Sequence, residues 1–173
     1  PTDWAEGPLG GNDGVVAKYN STLTGQSYAG VFGGSSTDQT LGTSTYTSAF
    51  YYGISNNNIA VDSTGRAYLA SLTSSTNYPT TAGAFQGSNG GNYDAAVSAV
   101  NAAGTGFEYS TLIGGTSTDM GKAVDLDEDG NVYLAALVAS TNYPTTPGEV
   151  QTTNGGNYDF GATIFEADLS ALI

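Results

Sequence analysis

Asn77-Tyr78-Pro79-Thr80-Thr81 returns as Asn142-Tyr143-Pro144-Thr145-Thr146, and Gly90-Gly91-Asn92-Tyr93-Asp94 returns as Gly155-Gly156-Asn157-Tyr158-Asp159. Both pairs are 65 positions apart (142 − 77 and 155 − 90). One displacement covering two motifs means that a supersecondary unit occurs twice, as in arrays whose units cover one another's apolar faces. A second displacement, of 81, matches Tyr28-Ala29-Gly30-Val31-Phe32-Gly33-Gly34-Ser35-Ser36-Thr37-Asp38 to Tyr109-Ser110-Thr111-Leu112-Ile113-Gly114-Gly115-Thr116-Ser117-Thr118-Asp119. With one local gap it also takes Gly10-Gly11-Asn12, Asp13 and Asn20 to Gly90-Gly91-Asn92, Asp94 and Asn101. The difference (81 − 65 = 16) is a net insertion between Asp38 and Ala60, which holds the aromatic cluster Phe50-Tyr51-Tyr52.

Between the turns the chain alternates with the two-residue period of half-buried strands. Four kinds recur. Ile59-Ala60-Val61-Asp62 and Ala123-Val124-Asp125-Leu126 are strand A, and Arg66 to Leu72 and Asn131 to Val138 are strand B. Gly14 to Tyr19, Ala95 to Val100 and Phe160 to Ala167 are strand C, and Tyr28 to Phe32 and Tyr109 to Ile113 are strand D. The order is C-D, A-B-C-D, A-B-C. It divides one repeat domain into a partial unit over 1–38, the insertion over 39–57, a full unit over 58–119 and a partial unit over 120–173. No segment has helical periodicity, and Pro79 and Pro144 push Tyr78 and Tyr143 toward extended backbone. The expected fold is all-β, with four-stranded antiparallel blades, one complete and two incomplete.

Composition agrees. Of 173 residues 25 are Gly and 12 are Tyr, which suits short strands joined by tight turns. Sixteen acidic residues face only Lys18, Arg66 and Lys122, a net charge of −13 that repels nucleic-acid phosphates. With no Cys and no His, disulfides, thiolate chemistry and histidine triads are excluded. No apolar run reaches the roughly 18 residues of a membrane helix. An opening at Pro1, without Met or an apolar leader, is expected of a processed or excised chain.

Ala-Val-Asp followed by Gly and Tyr-Leu-Ala, then Ser-Thr-Asn-Tyr-Pro-Thr-Thr, Gly, Gln and Gly-Gly-Asn-Tyr-Asp, resembles the bacterial β-propeller repeat of the SBBP type. The resemblance covers most of residues 58–170 and, more weakly, 10–38. It implies blade-like units in secreted or cell-surface proteins and brings no catalytic residues. The insertion and the low blade count depart from the pattern. Propellers close with 4–8 blades, whereas this chain carries strands for little more than two. The unfinished ends have three explanations: a piece of a larger surface propeller, a ring of copies, or an open fibre in which copies lend strands to one another.

Asp125, Asp127, Asp129 and Asn131 alternate oxygens along a tight loop, a spacing suited to Ca²⁺; the other reading is an Asp/Gly hairpin turn. An EF-hand needs Glu where Ala136 stands. Asp13, Asp94 and Asp159, and likewise Asp38 and Asp119, read as turn caps. Tyr78, Tyr93, Tyr143 and Tyr158 repeat with the unit and read as packing between blades, with sugar stacking the alternative. Trp4 and the unrepeated Phe50, Tyr51 and Tyr52 read as a subunit interface. Asn20-Ser21-Thr22 fits the N-glycosylation pattern. No unique carboxylate pair stands out, so the chain reads as non-enzymatic. The functional expectation is an extracellular structural or adhesive protein that binds copies of itself and inserts in no membrane. The competing expectation is a carbohydrate-binding propeller module.

Overall fold

The computed structural model describes residues 2–39 and 57–173, and each statement below concerns those residues. They form eleven strands and no helix. In the middle sheet, β6 (Ala67–Thr73) pairs antiparallel with β7 (Asp94–Val100), and β7 with β8 (Phe107–Ile113). The other edge of β6 carries two short pieces in one line: β4 (Asp38–Gln39), with Asp38 opposite Thr73, and β5 (Ile59–Val61), with Ile59 opposite Leu69. Together these are one A strand, and the insertion interrupts it. The expected interface cluster Phe50-Tyr51-Tyr52 lies outside the described residues.

The third sheet has β9 (Asp119–Leu126), β10 (Val132–Val138) and β11 (Asp159–Phe165), paired antiparallel in that order. The first sheet pairs β2 (Gly14–Tyr19) with β3 (Gln26–Phe32), and β1 (Thr2–Glu6) runs parallel along the far edge of β3. Strand order is therefore C-D, A-B-C-D, A-B-C, with β1 as an addition that strand periodicity does not reveal. The sheets close neither a barrel nor a propeller.

They stack face to face. Val16, Tyr28 and Phe32 of the first sheet meet Ala67, Leu69, Ala96, Val100 and Leu112 of the second. The second sheet's other face (Tyr68, Ala70, Ala95, Val97, Ala99, Ile113) meets Val124, Val132, Leu134, Phe165 and Leu169 beyond β9–β11. Sheets stack about 10 Å apart, so a sheet covered on both sides needs small side chains. This is why β6 and β7, Ala-Tyr-Leu-Ala-Ser-Leu-Thr and Asp-Ala-Ala-Val-Ser-Ala-Val, are buried at every position. The outer strands β2 and β10 alternate between buried and more open positions, because each outer sheet has one uncovered face.

The turns explain the recurring acids. Asp62 Oδ1 accepts from the N–H groups of Thr64 and Arg66, and Asp127 Oδ1 from those of Asp129 and Asn131. Gly65 and Gly130 close these hairpins at φ of +90° and +88°, which only glycine adopts at low cost. Asp38 and Asp119 are buried clamps between units. Asp38 receives the hydroxyls of Thr73 and Ser75 and the N–H of Gly34; Asp119 receives the Ser140 hydroxyl and the N–H groups of Gly115, Ala139 and Ser140.

Candidate functional site

A groove of about 770 Å3 lies beside β11, at the position that β8 takes beside β7 in the middle sheet. Its design is read from the occupied copy. Around β8, Thr81 N–H donates to the Ser110 carbonyl at 3.0 Å, and Ser110 N–H to Thr81 Oγ1 at 2.9 Å. Ser110 Oγ meets the Pro79 carbonyl at 2.8 Å and Ser98 Oγ at 2.9 Å. Leu112 N–H donates to the Gln86 carbonyl and Gly114 N–H to Gln86 Oε1, each at 3.0 Å. The connection from β6 to β7 thus wraps the outer edge of β8.

Residues 142–151 repeat this connection, and Pro144, Thr146, Gln151 and Thr163 all line the groove. Their internal bonds match the occupied copy. Tyr78 Oη meets Ser98 Oγ at 3.0 Å, and Tyr143 Oη meets Thr163 Oγ1 at 3.1 Å. Gln86 Nε2 donates to Asp94 and the Ser88 carbonyl, and Gln151 Nε2 to Asp159 and the Thr153 carbonyl. The Thr146 hydroxyl, whose counterpart Thr81 serves Ser110, turns instead to Glu149. Leu172 pairs with Phe165, as Phe107 does with Val100, and Ile173 N–H donates to the Ile164 carbonyl. These two residues occupy the first positions of a fourth strand.

Burial holds the phenols protonated. Tyr78 is pushed up to about 12 and Tyr143 is raised as well, in each case chiefly by loss of water. Burial also lifts Asp94 to about 6, with the charge of Asp119 adding to it, against hydrogen bonds from Gly90 and Gln86. Its Oδ1 is buried without a partner.

The uncovered sheet faces form the second part of the site. Tyr133, Ala135, Leu137, Phe160, Ala162 and Ile164 occupy the positions of Tyr68, Ala70, Leu72, Ala95, Val97 and Ala99, 65 residues earlier. Tyr68 is 1% exposed and Tyr133 42%. At the opposite end, Val15, Ala17 and Tyr19 are exposed on β2, where Ala96, Ser98 and Val100 are buried on β7. Leu23 and Leu169 hold the same left-handed turn position, at φ of 56° and 60°; Leu169 is 0% exposed and Leu23 78%.

The other sequence-derived candidates fall as follows. Asp127 accepts four donors, with Asn131 Nδ2 and the Tyr133 hydroxyl on Oδ2, and these hold its carboxyl below the usual range, Asn131 foremost. Asp125 caps Leu126 N–H, one strand position away from the loop. No group of three or more acids suited to a metal occurs among the described residues. Asn20 lies in the exposed turn between β2 and β3, where its Oδ1 accepts from Thr24 N–H, as Asn101 does from Thr105 N–H. Trp4, expected at a subunit interface, packs edge-on against Phe107 at 5.6 Å within the molecule. Sequence reasoning missed the groove residues Thr146, Gln151 and Thr163, although their repeat partners carried the signal. No helix here is long and apolar enough to cross a membrane.

No family model matches the chain, and no curated protein proves similar to it.

Proposed function

We propose that this chain is an extracellular structural or adhesive repeat protein that assembles with copies of itself. The carrying observation is that the apolar residues exposed at its two ends occupy positions buried between sheets inside the molecule. The back of the third sheet is equivalent to the back of the second, which packs on the face that follows it. The front of the first sheet is equivalent to the front of the second, which packs on the face that precedes it. The two end faces are thus halves of one kind of interface. Contact between them is head to tail, and a head-to-tail contact that does not close extends into a filament.

Location outside the cell, the adhesive role and the absence of catalysis rest on composition and on the repeat resemblance. Negative-stain electron microscopy of the purified chain tests the assembly. Filaments or large rings support it, and single small particles at all concentrations refute it. A carbohydrate-binding module would instead be a discrete particle whose melting temperature rises with an added glycan.

A further inference from the structure

We propose that Asp94 and Asp119 form a proton-operated latch between the second and third sheets: the junction is closed while Asp94 is a neutral acid and loosens when Asp94 gives up its proton. The device works inside one chain and does not depend on assembly. The two acids meet where the segments of the two units are joined. Asp119 N–H donates to the Tyr93 carbonyl at 2.7 Å, so the residue before one acid is bonded to the other. Asn92 N–H donates to the Ser117 carbonyl at 2.9 Å, and Tyr93 bridges to Thr118. Both carboxyls close on Gly114-Gly115. Asp119 Oδ2 takes the Gly115 N–H at 2.8 Å, and a Cβ on Gly114 would lie 2.4 Å from Asp94 Oδ1.

Both acids are fully buried, yet they are differently supplied. Asp119 receives two donors on each oxygen: Ala139 and Ser140 N–H on Oδ1, Gly115 N–H and the Ser140 hydroxyl on Oδ2. That set suits a full negative charge. Asp94 receives Gly90 N–H and Gln86 Nε2 on Oδ2, while its Oδ1 has no donor. An ionised Asp94 would hold part of its charge on a dry, unbonded oxygen beside the charge of Asp119, and a proton on Oδ1 removes that cost. The surrounding groups do not compensate. Tyr143 reaches both acids from the β10–β11 connection as a neutral phenol. Asp38 lies in the same row across β6, opposite Thr73, which is itself opposite Asp94. The acid of β8, Glu108, is at that strand's far end and is bonded to Arg66, and β9 also carries Lys122 and Asp125 three and six residues past Asp119. At the first junction the matching Asp13 Oδ1 is met by Gly10 N–H, so the donorless oxygen belongs to the second junction. Burial, with the Asp119 charge adding to it, keeps the Asp94 carboxyl up at about 6. The chain has no His and no Cys, so none of its side-chain types ordinarily titrates between pH 5 and 7. Asp94 therefore sets the response in that window.

The test is amide hydrogen exchange of the 173-residue protein from pH 5 to 7, read as protection factors of the Asn92 and Asp119 N–H groups. The closed junction holds the Asp94 proton more tightly than the open one, so protection is highest at pH 5 and falls by roughly tenfold by pH 7. Asp94→Asn, which cannot ionise and keeps an acceptor for Gly90 N–H, abolishes the slope, whereas Asp159→Asn, the same change 65 residues later, retains it. At each pH the two junction amides exchange faster than those buried in β6 and β7, because the opening is local. A flat wild-type profile, or a slope that survives Asp94→Asn, overturns the proposal. So does exchange of Asn92 and Asp119 at the rate of the β6 and β7 amides throughout, since whole-molecule unfolding alone would then sense the proton. If Asp94→Asn does not fold, the Asp94 carboxyl carbon, followed by NMR in the wild-type chain, decides. A midpoint near 6 in step with the loss of protection upholds the latch, and a midpoint below 5 overturns it.

Discussion

Phe85 meets Phe165 edge-on, ring centroids 5.9 Å apart at 74°, and so ties the connection of the middle unit to the third sheet. Its main-chain N–H donates to the Leu169 carbonyl at 3.1 Å. The residue equivalent to Phe85 in the next unit is Val150, which is fully exposed. The residues equivalent to Phe165 and Leu169 are Tyr19 and Leu23, exposed at the other end of the molecule. In the proposed assembly, this contact inside the chain is the template for the contact between chains.

Val150→Asp and Leu23→Asp are expected to block assembly while leaving the fold intact, since both side chains are exposed in the single molecule. Fully burying a Val or Leu is worth about 1.5–3 kcal/mol, so each substitution weakens association by roughly tenfold or more. Sedimentation compared with the melting temperature checks this. A fall in melting temperature matching the loss of assembly contradicts it.

Asp94 gives a pH dependence of defined sign. Its carboxyl, ordinarily near 3.8, is pushed up to about 6 by burial and the Asp119 charge, so the folded chain holds this proton more tightly than the unfolded chain. Its contribution to stability is complete below about pH 4 and is lost as pH rises through 6. Asp94→Asn, which keeps an acceptor for Gly90 N–H, should gain stability relative to wild type between pH 4 and 7. A difference that does not change with pH would count against the buried, half-satisfied carboxylate.

Asp119→Ala leaves the buried N–H groups of Gly115 and Ser140, and the Ser140 hydroxyl, without their acceptor, while Ala139 N–H keeps the Thr118 carbonyl. Unsatisfied buried donors cost about 1–3 kcal/mol each before relaxation, so a loss of about 3 kcal/mol is expected in urea unfolding. Asp159, the repeat equivalent of Asp94, anchors Gln151 and Gly155 at the surface, and its removal should cost far less.

Calcium at Asp125, Asp127, Asp129 and Asn131 is tested by chelation. Asp127 already accepts four donors of its own turn, with which an ion would compete. The account expects Asp127→Asn to preserve the hairpin, Asp127→Ala to loosen it, and a chelator to leave the melting curve in place. A chelator-induced drop reproduced by Asp127→Ala would establish the metal instead.

The strand order was legible because the two displacements, 65 and 81, are properties of sequence alone, and alternation in Val132–Val138 and Gly14–Tyr19 reports single-faced burial. The pairing of β1 was not, since Thr-Asp-Trp-Ala-Glu has no clean alternation and its parallel partner is set by the return of the chain along β3. Trp4 illustrates the same limit. It reads as an interface residue, and nothing in the sequence points to its edge-on contact with Phe107, a hundred residues away. The groove was hidden because Thr146, Gln151 and Thr163 are ordinary polar residues; only their partners around Ser110 and Gly114 show that they form a cradle.

The central claim is that the end faces of one molecule cover those of the next. Sedimentation equilibrium of the purified chain across a hundredfold range of concentration tests it most directly. The account predicts a mass that climbs with concentration through multiples of 17.5 kDa and falls back in Val150→Asp. A single species of 17.5 kDa throughout would contradict it.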